Sequence, residues 1–153
     1  RHRTWSYNEI SRRYTDKDIT FYCPDAFRTQ HSSNRQASNQ DTINPILYPD
    51  LSDRDFGVSC ADEIRGHARR SLFLFEHLMS TGVCREQARM VLPQSMYTEY
   101  YGTVNLNNLL KFIDLRTHEG AQWEIQKVAE ACLEIISDLW PESVGAYRRQ
   151  KCV

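Results

Sequence analysis

Apolar residues recur at steps of three and four positions along the second half of the chain, which is the spacing of one helix face. The first such stripe consists of Ile64, Ala68, Leu72, Phe75 and Met79. Ser59 can cap this helix and Gly82 can end it. A short helix from about Cys84 to Leu92 is predicted next, because Pro93 cannot continue it.

The same spacing predicts three further helices towards the C-terminus. Asn105 can cap the first of them, whose apolar stripe is Leu106, Leu109, Leu110 and Ile113. The second runs from about Ala121 to Leu139, and its stripe is Ile125, Val128, Cys132, Ile135 and Ile136. Pro141 suits the first turn of the last helix.

The N-terminal part has a different pattern. Read as an extended strand, residues 1–14 place Arg1, Arg3 and Trp5 on one face. Residues 19–23 are a short apolar run that favours a strand. Residues 25–58 are polar, without a sustained period, and we predict a long loop. The expected fold is therefore α+β, with short strands at the N-terminal end followed by a mainly helical C-terminal part.

Composition narrows the class of partner. The 153 residues suit a single domain, predicted to span 1–153. The formal net charge is −1, so no global positive field favours nucleic acid or an anionic membrane. We expect neither partner, and any cationic site must be local.

Cysteine and histidine usage excludes other classes. The five cysteines are odd in number and form no CxxC, which argues against a secreted disulfide framework and a structural zinc site. The five histidines form no HExxH, so we expect no metal. No apolar run approaches the roughly 20 residues of a membrane span. We expect a soluble cytoplasmic protein. Because the chain opens on Arg1 rather than methionine, we also expect it to be processed or part of a longer chain.

Two groups of residues, cationic except for Asn105, have possible chemistry. The N-terminal segment holds Arg1, Arg3, Arg12 and Arg13, and the predicted helices carry Arg89, Asn105, Lys111 and Arg116. A lysine or arginine on a helix normally belongs to a solvated face, which is the alternative for each. However, Arg89 precedes an apolar Met-Val-Leu run and Arg116 directly follows Leu115. Cations beside a buried stripe need an anionic partner, so chemistry alone indicates an anion or nucleotide binder.

The N-terminal segment RHRTWSYNEISRRY resembles the signature of flavin-dependent thymidylate synthases, RHRxxSxNExSxRY, at every fixed position. Three later segments resemble the same family in the same order. They are FRTQHSSNRQAS (27–38), REQARMVLPQSMYTEYYGTVN (85–105), and NNLLKFIDLR (107–116) followed by AQWEIQ (121–126). Members of the family carry a further N-terminal segment before the signature, which has no counterpart in these residues.

The resemblance implies an enzyme that converts dUMP to dTMP. FAD is the implied cofactor, with NADPH and methylenetetrahydrofolate as co-substrates. The implied assembly is a homotetramer with FAD sites shared between subunits, and 25–58 is implied to hold an active-site loop. Two other classes stay open: a non-catalytic remnant that binds flavin or nucleotide, and a helical module whose arginines bind acidic partners.

The resemblance also assigns roles to individual residues. The implied dUMP-binding residues are Arg1, Glu9, Ser11, Arg12, Arg13, Arg89 and Arg116. The implied FAD-binding residues are Arg1, His2, Arg3, Glu9, Asn105, Asn107 and Lys111. Two of them depart from the family pattern, because Asn107 replaces a frequent arginine and Lys111 stands where asparagine or histidine is common.

Arg116 and Ser11 are the implied catalytic residues. A guanidinium beside the uracil N3 and O2 favours the ionised pyrimidine and raises electron density at C5. Ser11 is predicted to orient the base by hydrogen bonding, with a covalent nucleophile as the alternative, because no activating Ser–His–Asp set is visible. None of the five cysteines is expected to act in catalysis. Four aromatic residues, Tyr97, Tyr100, Tyr101 and Trp123, are predicted to pack in a core or subunit interface, with ligand stacking as the alternative.

Overall fold

The structure is a computed structural model that describes residues 4–35, 37–48 and 57–151. Its strands are β1 (Ser6–Glu9), β2 (Phe27–Gln30), β3 (Ser38–Ile43), β4 (Ile46–Leu47), β5 (Val58–Ser59) and β6 (Tyr100–Thr103). Its helices are α1 (Cys60–Ser80), α2 (Arg85–Ala88), a 3-10 helix (Arg89–Val91), α3 (Leu106–Arg116), α4 (Trp123–Leu139) and α5 (Pro141–Lys151). The predicted α+β fold, with short strands before a mainly helical part, is confirmed.

Helix α1 begins and ends where its capping residues predict. The Ser59 hydroxyl accepts a hydrogen bond from the Asp62 backbone N–H at 3.1 Å and donates one to the Asp62 carboxylate at 2.7 Å. This hydroxyl, and secondly Arg65, lower the pKa of Asp62. At the other end Gly82 has a φ of +94°, a backbone conformation that glycine adopts without strain. The predicted stripe faces inward, with Ala68 and Phe75 fully buried.

The predicted second helix is confirmed as a shorter, tighter element. It forms four α-helical residues from Arg85 and then the 3-10 turn that starts at Arg89. Leu92 leaves the helical region with ψ of 129°, because the residue before a proline is driven to extended backbone.

Helices α3, α4 and α5 share a core of Phe112, Ile113, Ala129, Ile136 and Val144. The Trp5 ring contacts this core edge-on, with its centroid 5.1 Å from that of Phe112. The predicted stripe of α4 is wrong at Val128 and Ile135, which are 48% and 60% exposed. Ala129 and Leu133 are on the inward face instead. The apolar arc of α4 is wider than the core it contacts, so the sequence overstates the buried face.

Three expectations for the N-terminal part need correction. The strand expected over 1–14 is only β1, because the chain turns after Glu9; residues 1–3 lie outside the described residues. The run 19–23 forms a single bridge, Phe21 to Met96, rather than a strand.

The expectation of a continuous loop over 25–58 is wrong, because this range contains strands. β2 pairs with β3, and β4 pairs antiparallel with β5, with Ile46 opposite Ser59. Five of the six β3 residues are exposed, so hydrophobic alternation cannot reveal this strand. Residues 49–56 lie outside the described residues. The active-site role of this region stays a prediction.

The chain divides into two compact units. The first comprises Arg1–Tyr7, Gln30–Asn39 and Gly102–Val153 and holds α3, α4 and α5. The second comprises Asn8–Thr29 and Gln40–Tyr101 and holds α1, α2 and the 3-10 helix. The single domain over 1–153 stays a prediction.

Candidate functional site

A cleft of about 1280 Å³ lies in the second unit. One wall is the segment 9–13, where β1 ends and the chain turns, and the other comes from α2, the 3-10 helix and the loop up to Thr98. Five predicted dUMP-binding residues line it, namely Glu9, Ser11, Arg12, Arg13 and Arg89. The structure therefore brings together residues that are up to 80 positions apart in the sequence.

The turn at Ser11 shapes the first wall. The Ser11 carbonyl accepts a hydrogen bond from the Tyr14 backbone N–H at 2.9 Å, which closes the turn. The Ser11 hydroxyl oxygen accepts from both the backbone N–H and Nε of Arg13, each at 3.3 Å. The Arg13 guanidinium also lies 5.4 Å from the centre of the Tyr14 ring. Ser11 thus holds Arg13, and its own hydroxyl proton is left to donate.

Arg12 also lines the cleft, but its guanidinium is committed to the backbone of its own loop. It donates to the Lys17 carbonyl at 2.6 Å and to the Asp18 carbonyl at 3.5 Å. Asp18 has a φ of +53°, the left-handed region that aspartate tolerates better than most residues. Arg12 therefore closes the loop 12–18 from inside.

Arg89 projects from the second wall. Its Nε donates to the Glu86 carbonyl at 3.3 Å, at the junction of α2 and the 3-10 helix. The cleft contains three arginines (12, 13 and 89) and two carboxylates (Glu9 and Glu86). Among the described residues, none of these five forms an ion pair within 4.0 Å. The cleft therefore carries an excess positive charge that an anionic ligand can neutralise.

A smaller cavity of about 500 Å³ shares Glu9, Ile10 and Ser11 with the cleft. Tyr14, Tyr100 and Tyr101 also line it, and their side chains are 79%, 54% and 83% exposed. Tyr97 and Trp123 are exposed as well. The expectation of core packing is therefore wrong for Tyr97, Tyr100, Tyr101 and Trp123, while packing in a subunit interface stays a prediction.

The other predicted residues lie on α3, in the first unit. Asn105 caps this helix, because its Oδ1 accepts from the Asn108 backbone N–H at 2.9 Å. Asn107 and Lys111 are exposed and one turn apart, so they share a face. Arg116, half-buried at the helix end, is five residues beyond Lys111, or about 140° around the axis. Asn107 and Lys111 are therefore on one face of the helix, and Arg116 is on another. Arg1, His2 and Arg3 lie outside the described residues.

Sequence reasoning missed an ion pair beside the cleft. Arg85 Nη2 lies 2.8 Å from Asp16 Oδ2, and this hydrogen bond is the main reason that the pKa of Asp16 is lowered. The two residues are 69 positions apart, and no local pattern links them.

Two kinds of feature are absent from the part of the chain that the structure describes. No group of three or more His, Cys, Asp or Glu residues in that part of the chain is arranged to hold a metal ion. Over the same residues, no helix combines the length and the apolar character needed to cross a membrane.

Comparisons with known proteins now define the class. A family model described as "Thymidylate synthase complementing protein" matches residues 1–142. The chain therefore belongs to the flavin-dependent thymidylate synthase family, and the predicted family is confirmed.

Two curated relatives carry the name flavin-dependent thymidylate synthase. The one from Thermus thermophilus is 37% identical over 147 residues, covering 96% of this chain and 50% of the relative. The one from Aquifex aeolicus is 41% identical over 137 residues, covering 89% of this chain and 40% of the relative. The chain spans about half the length of the Thermus relative.

A solved structure has a similar fold. It is the UMP/dUMP methylase PolB from Streptomyces cacaoi bound with 5-Br dUMP, with a TM-score of 0.70 and 30% identity. The match covers 96% of this chain and 62% of that chain.

Proposed function

We propose that this chain carries the nucleotide site of a flavin-dependent thymidylate synthase, which converts dUMP to dTMP with methylenetetrahydrofolate, NADPH and FAD. The observation that carries the proposal is the cleft, in which Glu9, Ser11, Arg13 and Arg89 meet. Family membership supports the reaction, and the 5-Br dUMP in the PolB structure supports the substrate.

The cleft suits a nucleoside monophosphate on charge. A phosphate monoester carries about −1.5 to −2 charges at pH 7. Guanidinium groups form paired hydrogen bonds with phosphate, and those of Arg13 and Arg89 are in no ion pair among the described residues. We assign these two arginines to the phosphate of dUMP.

Ser11 is assigned to orientation rather than attack. Its hydroxyl oxygen already accepts two hydrogen bonds from Arg13, so the group can donate its proton to a nucleotide oxygen. No histidine is among the described residues that line the cleft, so this wall offers no imidazole to activate the hydroxyl. Glu9 is assigned to the substrate side as an acceptor for N–H or O–H groups.

Arg116 is assigned to the pyrimidine. A cation beside the uracil N3 and O2 stabilises the negative charge that develops when N3 loses its proton. The resulting electron density at C5 favours bond formation with the methylene carbon of the folate. The proposed contribution of Arg116 is therefore electrostatic, and its guanidinium transfers no proton because arginine stays protonated and charged.

The α3 residues fit FAD chemically. The exposed Lys111 supplies a positive charge for a pyrophosphate, and Asn107 supplies amide donors one turn away. Asn105 uses its Oδ1 as the helix cap and keeps its amide nitrogen to donate. We assign these three residues and Glu9 to FAD. When bound, reduced FAD supplies the hydride that completes the methyl group, with electrons that come from NADPH.

We infer a homotetramer, and α4 supports an assembly surface. Val128, Ile135 and Leu139 lie within about 40° of one another around the α4 axis. They are 48%, 60% and 60% exposed, so they form an exposed apolar stripe along one side of the helix. The predicted intracellular location accords with the proposed substrates.

The test is dTMP formation by the purified protein with dUMP, FAD, NADPH and methylenetetrahydrofolate, followed by chromatography. Calorimetric titration of the same protein with dUMP gives a second readout. Product formation that stops when methylenetetrahydrofolate is left out supports the synthase. Tight dUMP binding without product, in a protein that also carries the family's further N-terminal segment, would favour the non-catalytic remnant. No dUMP binding would contradict the nucleotide site itself.

A further inference from the structure

The loop that follows the Ser11 turn is fixed at its far end by an ion pair with the opposite wall of the cleft. Asp16 Oδ2 meets Arg85 Nη2 at 2.8 Å, and the two side chains are 43% and 41% exposed. The two residues are 69 positions apart, so the ion pair joins two segments that are distant along the chain.

Each partner of the ion pair stands close to an arginine of the cleft. Asp16 comes three residues after Arg13, and Arg85 comes four residues before Arg89. The backbone N–H of Arg89 donates to the Arg85 carbonyl, so these two residues are joined across one helical turn. The ion pair therefore connects the segment that carries Arg13 to the helical turn that carries Arg89.

The loop between Arg13 and Asp16 has little freedom to absorb a change. Arg12 donates to the Lys17 and Asp18 carbonyls, and the Lys17 backbone N–H donates to the Thr15 hydroxyl at 3.2 Å. Asp18 holds a φ of +53°, which turns the chain at the end of this loop. Movement of Asp16 would therefore be transmitted to Arg12 and Arg13 rather than lost in a flexible linker.

We propose that Asp16 and Arg85 are positioning residues, whose ion pair sets the spacing of Arg13 and Arg89 for the phosphate group of a nucleoside monophosphate. This inference rests on the proposed dUMP site. An exposed ion pair contributes little to stability, so the role assigned here is geometric. In enzymes a misplacement of about 1 Å can cost about 10²-fold in rate, and we expect phosphate binding by Arg13 and Arg89 to depend on spacing in the same way.

The experiment compares the affinities of the purified protein for dUMP and deoxyuridine by calorimetric titration. The variants are Asp16→Ala, Arg85→Ala, the double alanine variant and the reversed pair Asp16→Arg/Arg85→Asp. We expect each single variant to bind dUMP about tenfold more weakly, and the double variant no more weakly than the single ones, because both remove one interaction. Deoxyuridine affinity should stay unchanged, because this ligand has no phosphate.

Two further variants separate positioning from general damage. Arg85→Lys keeps the charge and should restore most of the dUMP affinity. Arg65→Ala is the matched control, because Arg65 forms a similar long-range pair with Asp25 at 2.8 Å and lines neither cavity. It should bind dUMP as the parent protein does. Thermal melting of each variant reports folding.

The outcomes are distinct. If the parent protein does not bind dUMP, the proposed function fails and this inference fails with it. If the parent binds and Arg85→Ala binds equally well, the inference alone is overturned. Equal losses for dUMP and deoxyuridine, or the same loss in Arg65→Ala, would also overturn it, because they indicate general destabilisation.

Discussion

Three arginines within one cleft have different bonding, and that difference decides what each is free to do. Arg12 is bonded to two carbonyls of its own loop, whereas Arg13 is held by Ser11 and Arg89 by the Glu86 carbonyl. In the guanidinium groups of Arg13 and Arg89, Nε donates to the protein. Their outer nitrogens are available for a phosphate. All three were predicted from the sequence to bind dUMP, because the sequence shows their charge and not their hydrogen-bond partners.

Replacement of Arg89 tests this difference at the residue scale. Arg89→Ala should weaken dUMP binding by about one to two orders of magnitude, because a charge-assisted bond to phosphate contributes about 1.5–3 kcal/mol. Calorimetric titration measures the change. Arg69→Ala is a suitable control, because Arg69 is another exposed arginine and lines neither cavity. A parent-like affinity in Arg89→Ala would remove Arg89 from the site.

Helix boundaries at the scale of single elements follow local chemistry. Ser59 and Asn105 each accept a hydrogen bond from the backbone N–H three residues ahead, and each stands directly before a helix. Pro141 opens α5 in the same predictable way. These signals work because the atoms involved are within one turn of each other, so distant parts of the chain cannot override them easily.

Loss of the α1 cap should lower the stability of the protein by a measurable amount. Ser59→Ala should lower the free energy of unfolding by about 1 kcal/mol, because two hydrogen bonds at the helix start are lost. Chemical denaturation at pH 7 gives this value. Ser80→Ala, at the exposed end of the same helix, is the control, and an equal effect of both changes would contradict a capping role.

The Ser59 cap also carries a pH dependence. The pKa of Asp62 in the folded protein is below its ordinary value of 3.8, so its ionised form is favoured by folding. The resulting stabilisation is present above pH 3.8 and is lost as the pH falls through the folded pKa. Ser59→Ala should therefore reduce the acid sensitivity of unfolding, which denaturation series from pH 5 to pH 2 would detect.

The exposed apolar residues of α4 support the proposed assembly. Ile135 and Ile136 are neighbours on α4, yet Ile136 is buried in the core and Ile135 is 60% exposed. Burial of only one of them leaves the stripe of Val128, Ile135 and Leu139 open to contact with another chain. We therefore interpret the stripe as an assembly contact, whereas Ile136 contributes to the core of this chain.

Charge placed on this stripe should disrupt the predicted homotetramer. Ile135→Glu should shift the mass measured by light scattering towards a smaller species, because a carboxylate in an apolar contact has to be desolvated. Lys127→Gln is a matched control, since it changes the net charge by the same one unit on a different face of α4. An unchanged mass for Ile135→Glu would show that this stripe is not an assembly contact.

Sequence patterns alone predicted the helices, the family and the residue types of the proposed site. Periodicity and caps located α1, α3, α4 and α5, and the signature segment predicted Glu9, Ser11 and Arg13 as site residues. These features can be predicted from the sequence because each depends on residues that are close along the chain or belong to one motif. Even so, the three tyrosines and one tryptophan assigned to packing turned out to be exposed within this chain.

Which residues meet becomes visible only in the folded chain. The strands over 27–47 have mostly polar, exposed side chains, so their pairing depends on backbone hydrogen bonds that leave no hydrophobic pattern. The inward face of α4 depends on where its neighbours lie, which is why Val128 and Ile135 were misassigned. Asp16 and Arg85 illustrate the same limit, because an ion pair across 69 positions exists only once folding has brought the two segments together.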